Sequence, residues 1–175
     1  MGQKVKYLSV IGFLGAAAVG SWDASPAIAG ALPPLGYQLM CLKYPERCQG
    51  GGSSTLVLSN SAMATLAGVN ASVNAAIRPR ADPGGTDVWS VDVSVGDCED
   101  YAMTKREHLI AAGLPASALR IAYVKTRSGE DHAVLVIHSS RGDLVLDNLT
   151  PLIKPLSQTG LRLISISGAN PLRWT

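Results

Sequence analysis

The stretch that decides the fold is Gly96-Asp97-Cys98-Glu99-Asp100-Tyr101-Ala102, a cysteine between carboxylates at the expected start of a helix. Residues 103–112 continue as a helix-forming run, and Gly113 is expected to end it. If Asp97 caps the helix, Cys98 lies in the first turn, where free N–H groups and the helix dipole favour a thiolate. The flanking carboxylates oppose that charge. We therefore expect a neighbouring imidazolium or a bound cation to offset them.

The composition indicates a single globular domain with a substantial core. The chain has 175 residues, of which 47% are hydrophobic, and its net charge is only +2. Three tryptophans, five tyrosines and one phenylalanine form no cluster with basic residues. Nucleic-acid binding is therefore not expected.

The N-terminus has the pattern of a secretory signal. Lys4 and Lys6 precede an apolar stretch over residues 8–19, and Ala27-Ile28-Ala29 has the small residues of a cleavage site. The apolar stretch is short for a membrane span, although an uncleaved anchor is the alternative. We predict a signal peptide over residues 1–29 and one domain over residues 30–175. The mature protein would be periplasmic or secreted, without a membrane span.

The three cysteines leave an odd one in an exported chain. Cys41 and Cys48 flank Pro45 closely enough for a local disulfide in an oxidising compartment. Cys98 is then the unpaired thiol. A buried, inert cysteine is the alternative, and it fits poorly beside three carboxylates.

Hydrophobic periodicity predicts one further helix and an antiparallel sheet. Apolar residues at a spacing of three or four predict a helix over about residues 59–77. Residues 30–36 and 41–48 are expected to be irregular. Four segments have strand-like patterns, namely residues 119–125, 131–139, 143–147 and 161–167. A helix followed by antiparallel strands indicates an α+β fold.

The three histidines are not equally placed to assist Cys98. His108 lies about 15 Å along the helix from the thiol. His132 begins a predicted strand and His138 lies near its other end, about 20 Å away. Asp147 ends the partner strand of the hairpin, so it lies at the same end as His132. We expect His138 and His108 to be solvated or structural residues.

The hairpin register decides whether Asp147 and His132 share a face. A four-residue loop over residues 139–142 would place Asp147 opposite Val134, one diagonal step from His132, whereas a three-residue loop would reverse the face. With Cys98, these residues could form the nucleophile, general base and orienting carboxylate of thiol acyl transfer. The alternatives are an ordinary hairpin with a surface histidine, or a zinc site that lacks the usual closely spaced ligands.

At these residues the sequence resembles the bacterial transglutaminase-like cysteine proteinases, the family of the LapG proteases. The matching stretches are residues 96–102, then Lys105 and Leu109, then residues 113–115, 132–135 and 146–149. The resemblance implies a papain-like transglutaminase core with its nucleophile at a helix N-terminus packed on an antiparallel sheet. It also implies an exported cysteine peptidase with catalytic residues Cys98, His132 and Asp147.

The resemblance further implies calcium, because LapG-type proteases bind it through acids that flank the nucleophile. Asp97 and Glu99 match those positions, and Asp100 is a further candidate ligand. Helix capping by Asp97 and Asp100 is the alternative. The substrate would be a protein, as in LapG proteases that cleave surface adhesins under a membrane receptor. Residues 90–95 depart from the longer relatives, so the substrate cleft is expected to differ.

Two other functions fit the same residues. A transglutaminase or amidase would pass the acyl group to a different acceptor through the same three side chains. A non-catalytic binding module would keep the fold without the chemistry.

Overall fold

The computed structural model describes residues 1–2 and 30–175, so the predicted signal peptide lies outside the described residues apart from its first two positions. Proline, glycine and serine runs separate the helices, and the longest helix begins after a serine cap at Ser59. Within residues 30–175, the α-helices are α1 (Leu35–Lys43), α2 (Asn60–Ala76) and α3 (Cys98–Ala111). Within the described residues, no helix is long and apolar enough to cross a membrane.

In the part of the chain that the structure describes, the strands form two sheets. A parallel pair contains β1 (Arg78–Pro79) and β2 (Val95–Gly96). The main sheet is antiparallel, with strand order β6-β5-β4-β3-β7. Its strands are β3 (Leu119–Lys125), β4 (Asp131–Ser139), β5 (Gly142–Leu146), β6 (Lys154–Pro155) and β7 (Arg162–Ile166).

The core lies between the main sheet and the helices. Leu135 and Ile137 project from β4 toward Met103 and Leu109 of α3, and all four side chains are fully buried. The alternate β4 residues, with Val136 among them, pack on the other face of the sheet in a smaller cluster. This two-sided burial stabilises the central strand and fixes the position of α3 over it. The predicted α+β class is confirmed.

The register predicted for the hairpin is also confirmed. Val136 pairs with Val145 and Leu135 with Leu146, so the next step of the ladder places Asp147 opposite Val134. A one-residue slip would have moved every side chain of β5 to the other face.

The prediction of irregular structure over residues 30–36 and 41–48 was wrong in part. Residues 30–34 lie outside the helices, but residues 35–36 and 41–43 belong to α1, which begins directly after Pro34. Its buried face carries Tyr37, whose ring meets Trp89 and Trp174 edge-on at centroid distances of 5.2 and 5.4 Å. Cys41 at the end of α1 forms the disulfide with Cys48, which ends a short 3-10 helix. The packing of Tyr37, rather than local periodicity, stabilises this helix.

Candidate active site

Cys98 is the first residue of α3, as the sequence predicts. Asp97 occupies the N-cap position, and its backbone N–H donates to Asp100 Oδ2 at 3.3 Å. The preceding Gly96 is needed for space, because a Cβ there would collide with the Asp100 carboxylate. The sequence therefore folds locally into a tight cap that presents the half-buried Cys98 thiol.

Burial and a neighbouring acid act against ionisation of this thiol. Burial, followed by the charge of Glu99, raises the pKa of Cys98 to about 12, while the backbone N–H of Ala133 opposes the rise. The thiol donates to Glu99 Oε2 at 3.1 Å. Burial also raises the pKa of Glu99 to about 8. Burial and the Glu99 carboxylate therefore oppose ionisation of Cys98, and a positive charge near the thiol would favour it.

His132 and Asp147 meet at the end of the hairpin. His132 Nε2 lies 2.8 Å from Asp147 Oδ1, and both side chains are buried. Asp147 also accepts the Leu149 backbone N–H at 3.0 Å, and its own carbonyl accepts the Asn74 amide at 3.0 Å. Although burial raises the pKa of Asp147, its hydrogen bonds and the charge of Lys105 hold it below the usual value. The ionised carboxylate only accepts, so Nε2 carries a proton and Nδ1 of neutral His132 is free to accept one.

A single cavity of about 530 Å³ contains both Cys98 and His132 on its wall. Ala133, Tyr123 and Ser165 pair across three adjacent strands, so they form one row of the lining. The remaining lining residues are Leu32, Pro34, Asp87, Trp89, Glu99 and Asp131. This volume lies within the range of ligand pockets in proteins, and the Cys98 and His132 side chains both line it.

Trp89 belongs both to the core and to the lining of the cavity. Its ring is buried against Tyr37, and Nε1 donates to Asp87 Oδ1 at 2.7 Å. The same ring lines the cavity beside Cys98. The core and the cavity therefore share this side chain.

The other two histidines lie outside the cavity. His108 Nε2 is 2.7 Å from Asp92 Oδ1, and His138 Nδ1 is 2.7 Å from Asp143 Oδ1. Both pairs are partly exposed. They are local surface pairs, as the sequence predicts for these positions.

Three carboxylates gather beside the thiol. Asp82, Asp97 and Glu99 each place one oxygen within 4.8 Å of the others. The Asp82 backbone N–H donates to Asp97 Oδ2 at 3.1 Å, while the buried Asp97 Oδ1 has no hydrogen-bond partner among the described residues. An orphaned carboxylate oxygen within such a group fits a hard divalent cation.

Sequence reasoning missed Asp82. The residue lies in a proline- and glycine-rich loop, and the parallel β1–β2 ladder brings that loop to α3. Pro79 pairs with Gly96, and the Arg80 backbone N–H donates to the Gly96 carbonyl at 2.9 Å. A two-residue parallel ladder has no periodicity that a sequence pattern could reveal.

Asp100, the third predicted calcium ligand, is engaged elsewhere. Its Oδ1 accepts the Ser90 backbone N–H at 2.7 Å, and its Oδ2 accepts the N–H of Asp97. Burial raises the pKa of Asp100 to about 6. It lies outside the group of three close carboxylates, and its role as a ligand stays a prediction.

The site combines a cysteine at the N-terminus of a helix, an antiparallel sheet on which that helix packs, and a histidine–aspartate pair at the same cavity. Transglutaminase-like thiol enzymes have this arrangement. The chain belongs to the bacterial transglutaminase-like cysteine proteinases, whose sequence profile matches residues 28–175. This confirms the family resemblance and supports a peptidase function.

Solved structures of LapG from Legionella pneumophila are similar to the chain. The calcium-bound structure is 29% identical, with a TM-score of 0.56, and the match covers 61% of this chain and 65% of that one. An EGTA-treated structure is 28% identical, with a TM-score of 0.53, over 59% and 62%. The chain thus spans just under two thirds of the length of LapG. No curated protein matches the sequence.

Proposed function

We propose that the protein is an exported cysteine peptidase in which Cys98 is the nucleophile, His132 the general base and Asp147 the residue that orients it. The observation that carries this proposal is the shared cavity: Cys98 and His132 both line it, and His132 is tied on its far side to the buried Asp147 at 2.8 Å. The free Nδ1 of His132 can then serve the thiol.

The acylation step follows from this arrangement. His132 Nδ1 takes the proton from Cys98 Sγ, and the thiolate attacks the carbonyl carbon of a peptide bond. Backbone N–H groups in the first turn of α3 have no intrahelical acceptor, so they can stabilise the oxyanion. The tetrahedral intermediate collapses as His132 donates the proton to the leaving amine. An acyl thioester on Cys98 and a free amino terminus result.

Deacylation uses the same residues. His132 removes a proton from a water molecule as its oxygen attacks the thioester carbonyl, and the proton then passes to the Cys98 sulfur. A carboxylate product and the free thiol are released. A primary amine in place of water would yield the transglutaminase reaction, so an amine-incorporation assay separates the two activities.

We further propose that Asp82, Asp97 and Glu99 hold calcium. The supporting observations are their close oxygens and the unpartnered Asp97 Oδ1. LapG, the similar protein, has a calcium-bound structure. Bound there, calcium would supply the positive charge that the Cys98 thiol needs. Asp100 would then position Asp97 through the capping hydrogen bond.

The proposed location is the periplasm or the cell exterior. The predicted signal over residues 1–29 supports it, and so does the Cys41–Cys48 disulfide, which suits an oxidising compartment. The proposed substrate is a protein of the cell surface or periplasm. An adhesin substrate and a membrane receptor as regulator are carried over from the family resemblance.

The test compares cells that carry the wild type with cells that carry Cys98→Ala. We expect one or a few surface or periplasmic proteins to be shortened only with the wild type, and the purified enzyme to produce the same cut. His132→Ala should abolish cleavage. His138→Ala is the matched control, because it also removes a histidine from a His–Asp pair, but outside the cavity. Cleavage that survives Cys98→Ala would refute the proposal.

A further inference from the structure

The wall of the cavity carries a negative charge that the proposed reaction does not use. The carboxylates of Asp87, Glu99 and Asp131 line the cavity, and no lysine or arginine is among its described lining residues. Asp131 is paired with Lys125, whose Nζ lies 2.7 Å from Oδ1. Glu99 belongs to the group proposed to hold calcium. Asp87 forms no ion pair among the described residues, so its charge is left without a cationic partner.

Asp87 is held in a fixed position at the start of α1. Its Oδ2 accepts the first-turn N–H of Gly36 at 2.9 Å, and its Oδ1 accepts Trp89 Nε1 at 2.7 Å. A Cβ on Gly36 would collide with both Asp87 and Trp89, so the packing between them is tight. The two bonds use one acceptor site on each oxygen, whereas a carboxylate has about four such sites. Asp87 is exposed and can therefore accept further hydrogen bonds from a ligand.

The wall that contains Asp87 is otherwise apolar. Leu32 and Pro34 lie on the chain segment that Gly36 ties to Asp87, Trp89 is bonded to Asp87 directly, and all three apolar side chains line the cavity. Leu32 is 82% exposed, so its side chain is available to contact a ligand. One fixed anion in an apolar wall fits a long side chain with an apolar stem and a cationic end, as in arginine and lysine. Tryptophan is also the aromatic residue that attracts cations most strongly.

We propose that Asp87 is a specificity-determining residue, whose carboxylate binds an arginine or lysine side chain of the substrate at one position near the bond that is cleaved. The proposal rests on the proposed function, since it takes the cavity of Cys98 and His132 as the place where the peptide binds. A free acceptor site on each oxygen suits the two parallel donors of arginine, and a lysine ammonium can also bond there. An acidic side chain at that position is repelled by Asp87.

The first experiment measures which peptide bonds the purified protein cuts. The probe is a mixture of synthetic peptides with randomised sequences, digested with calcium present, and mass spectrometry identifies each cut. We expect arginine and lysine to be enriched about 5- to 10-fold at one position relative to the cut, and aspartate and glutamate to be depleted there. This size lies between the effect of an exposed ion pair and that of a hydrogen bond to a charged group. In Asp87→Asn, the enrichment should fall below about 2-fold.

A pair of peptides then isolates the charge. One cleaved sequence is made with arginine and with citrulline at the enriched position, because citrulline has nearly the same shape and no charge. The wild type should have a kcat/KM about 5- to 10-fold higher for the arginine peptide, and this measurement does not depend on the folding of any variant. Asp87→Asn should cleave the two peptides with kcat/KM values within about 2-fold of each other.

The controls separate the charge of Asp87 from its structural bonds. Asp92→Asn is the matched control, because Asp92 is also an exposed aspartate of the segment before α3, and its pair with His108 lies outside the cavity. It should keep the wild-type ratio between the two peptides. A ratio measured on one protein cancels a general loss of activity, so a purely structural Asp87 would leave the ratio of Asp87→Asn unchanged.

Three outcomes would count against the proposal. They are the absence of any enriched basic residue in the wild type, equal cleavage of the arginine and citrulline peptides by the wild type, and a wild-type ratio in Asp87→Asn. Failure of the proposed function looks different, because the wild type would then cut no bond, or Cys98→Ala would cut the same bonds as the wild type. Either of these results removes the proposed function and this inference with it.

Discussion

The exchange Asp147→Asn tests the geometry of the candidate site most directly. It removes the charge behind His132 and keeps the shape of the side chain. The amide oxygen can still accept the Leu149 N–H that Asp147 Oδ1 accepts at 3.0 Å, so the segment should stay in place. The altered quantity is the stabilisation of the imidazolium that forms when His132 takes the proton of Cys98.

The structure sets the size of this effect. At the 2.8 Å separation of Nε2 and Oδ1, an effective dielectric constant of about 20 gives an attraction of roughly 6 kcal/mol. Hydrogen bonds to charged groups contribute about 1.5–3 kcal/mol in mutational measurements. At about 1.4 kcal/mol for each factor of ten, these two energies correspond to a decrease of about 10-fold to 10⁴-fold in the rate of the Cys98 reaction. We expect the rate in Asp147→Asn to fall by about 100- to 1000-fold.

The assays are alkylation of Cys98 by iodoacetamide and cleavage of the substrate, each with thermal unfolding measured in parallel. Asp143→Asn is the matched control, because Asp143 lies 2.7 Å from His138 in a pair that is more than one third exposed. It should change either rate by less than about 2-fold. If Asp147→Asn stays within about 3-fold of the wild type while folding normally, Asp147 does not orient the base and the reasoning is wrong.

Three further predictions concern the cap, the cation and the pH. Calcium should raise the unfolding temperature of the wild type and EGTA should reverse the rise, whereas a double Asp82→Asn, Asp97→Asn variant should respond to neither. Gly96→Ala should lower the free energy of unfolding in urea by about 1–3 kcal/mol through a clash with a carboxylate, while Gly68→Ala, in open space on α2, should raise it by about 0.5–1 kcal/mol. Burial lowers the pKa of the buried Lys105 to about 7, so the wild type should be less stable than Lys105→Met at or below pH 7. The difference in the free energy of unfolding should shrink as the pH rises to 10.5, where the unfolded chain also loses the proton. Urea unfolding across that pH range measures this difference, and a constant difference would contradict the prediction.

The sheet and α3 could be predicted because their information is local. The strand patterns of residues 119–125 and 131–139 match the observed bounds of β3 and β4, and the predicted register follows from a short hairpin. Once that register is known, the meeting of His132 and Asp147 follows from alternation along the strands. Gly96 and Asp97 likewise mark the start of α3 by their own chemistry.

The missed features depend on contacts between distant segments. Helix α1 has little apolar periodicity of its own, and it is stabilised by Tyr37 between Trp89 and Trp174, residues far along the chain. Asp82 reaches Asp97 only through a two-residue ladder that includes a proline. Long-range packing of this kind overrides local propensity, so no window of the sequence contains the signal.

The first turn of α3 serves two purposes that conflict without a cation. Burial and the carboxylate of Glu99 both oppose ionisation of Cys98, yet the same carboxylates, with Asp82, create the site that a cation would fill. A helix N-terminus with a neutral neighbour in place of Glu99 would favour the thiolate without any ion. We therefore expect the acids to make the reactivity of Cys98 depend on the cation. It follows that Cys98 of Glu99→Gln should react with iodoacetamide at nearly the same rate with calcium and with EGTA. The reaction of the wild type should slow when calcium is removed. Equal slowing of both proteins would show that Glu99 does not couple the cation to the thiol.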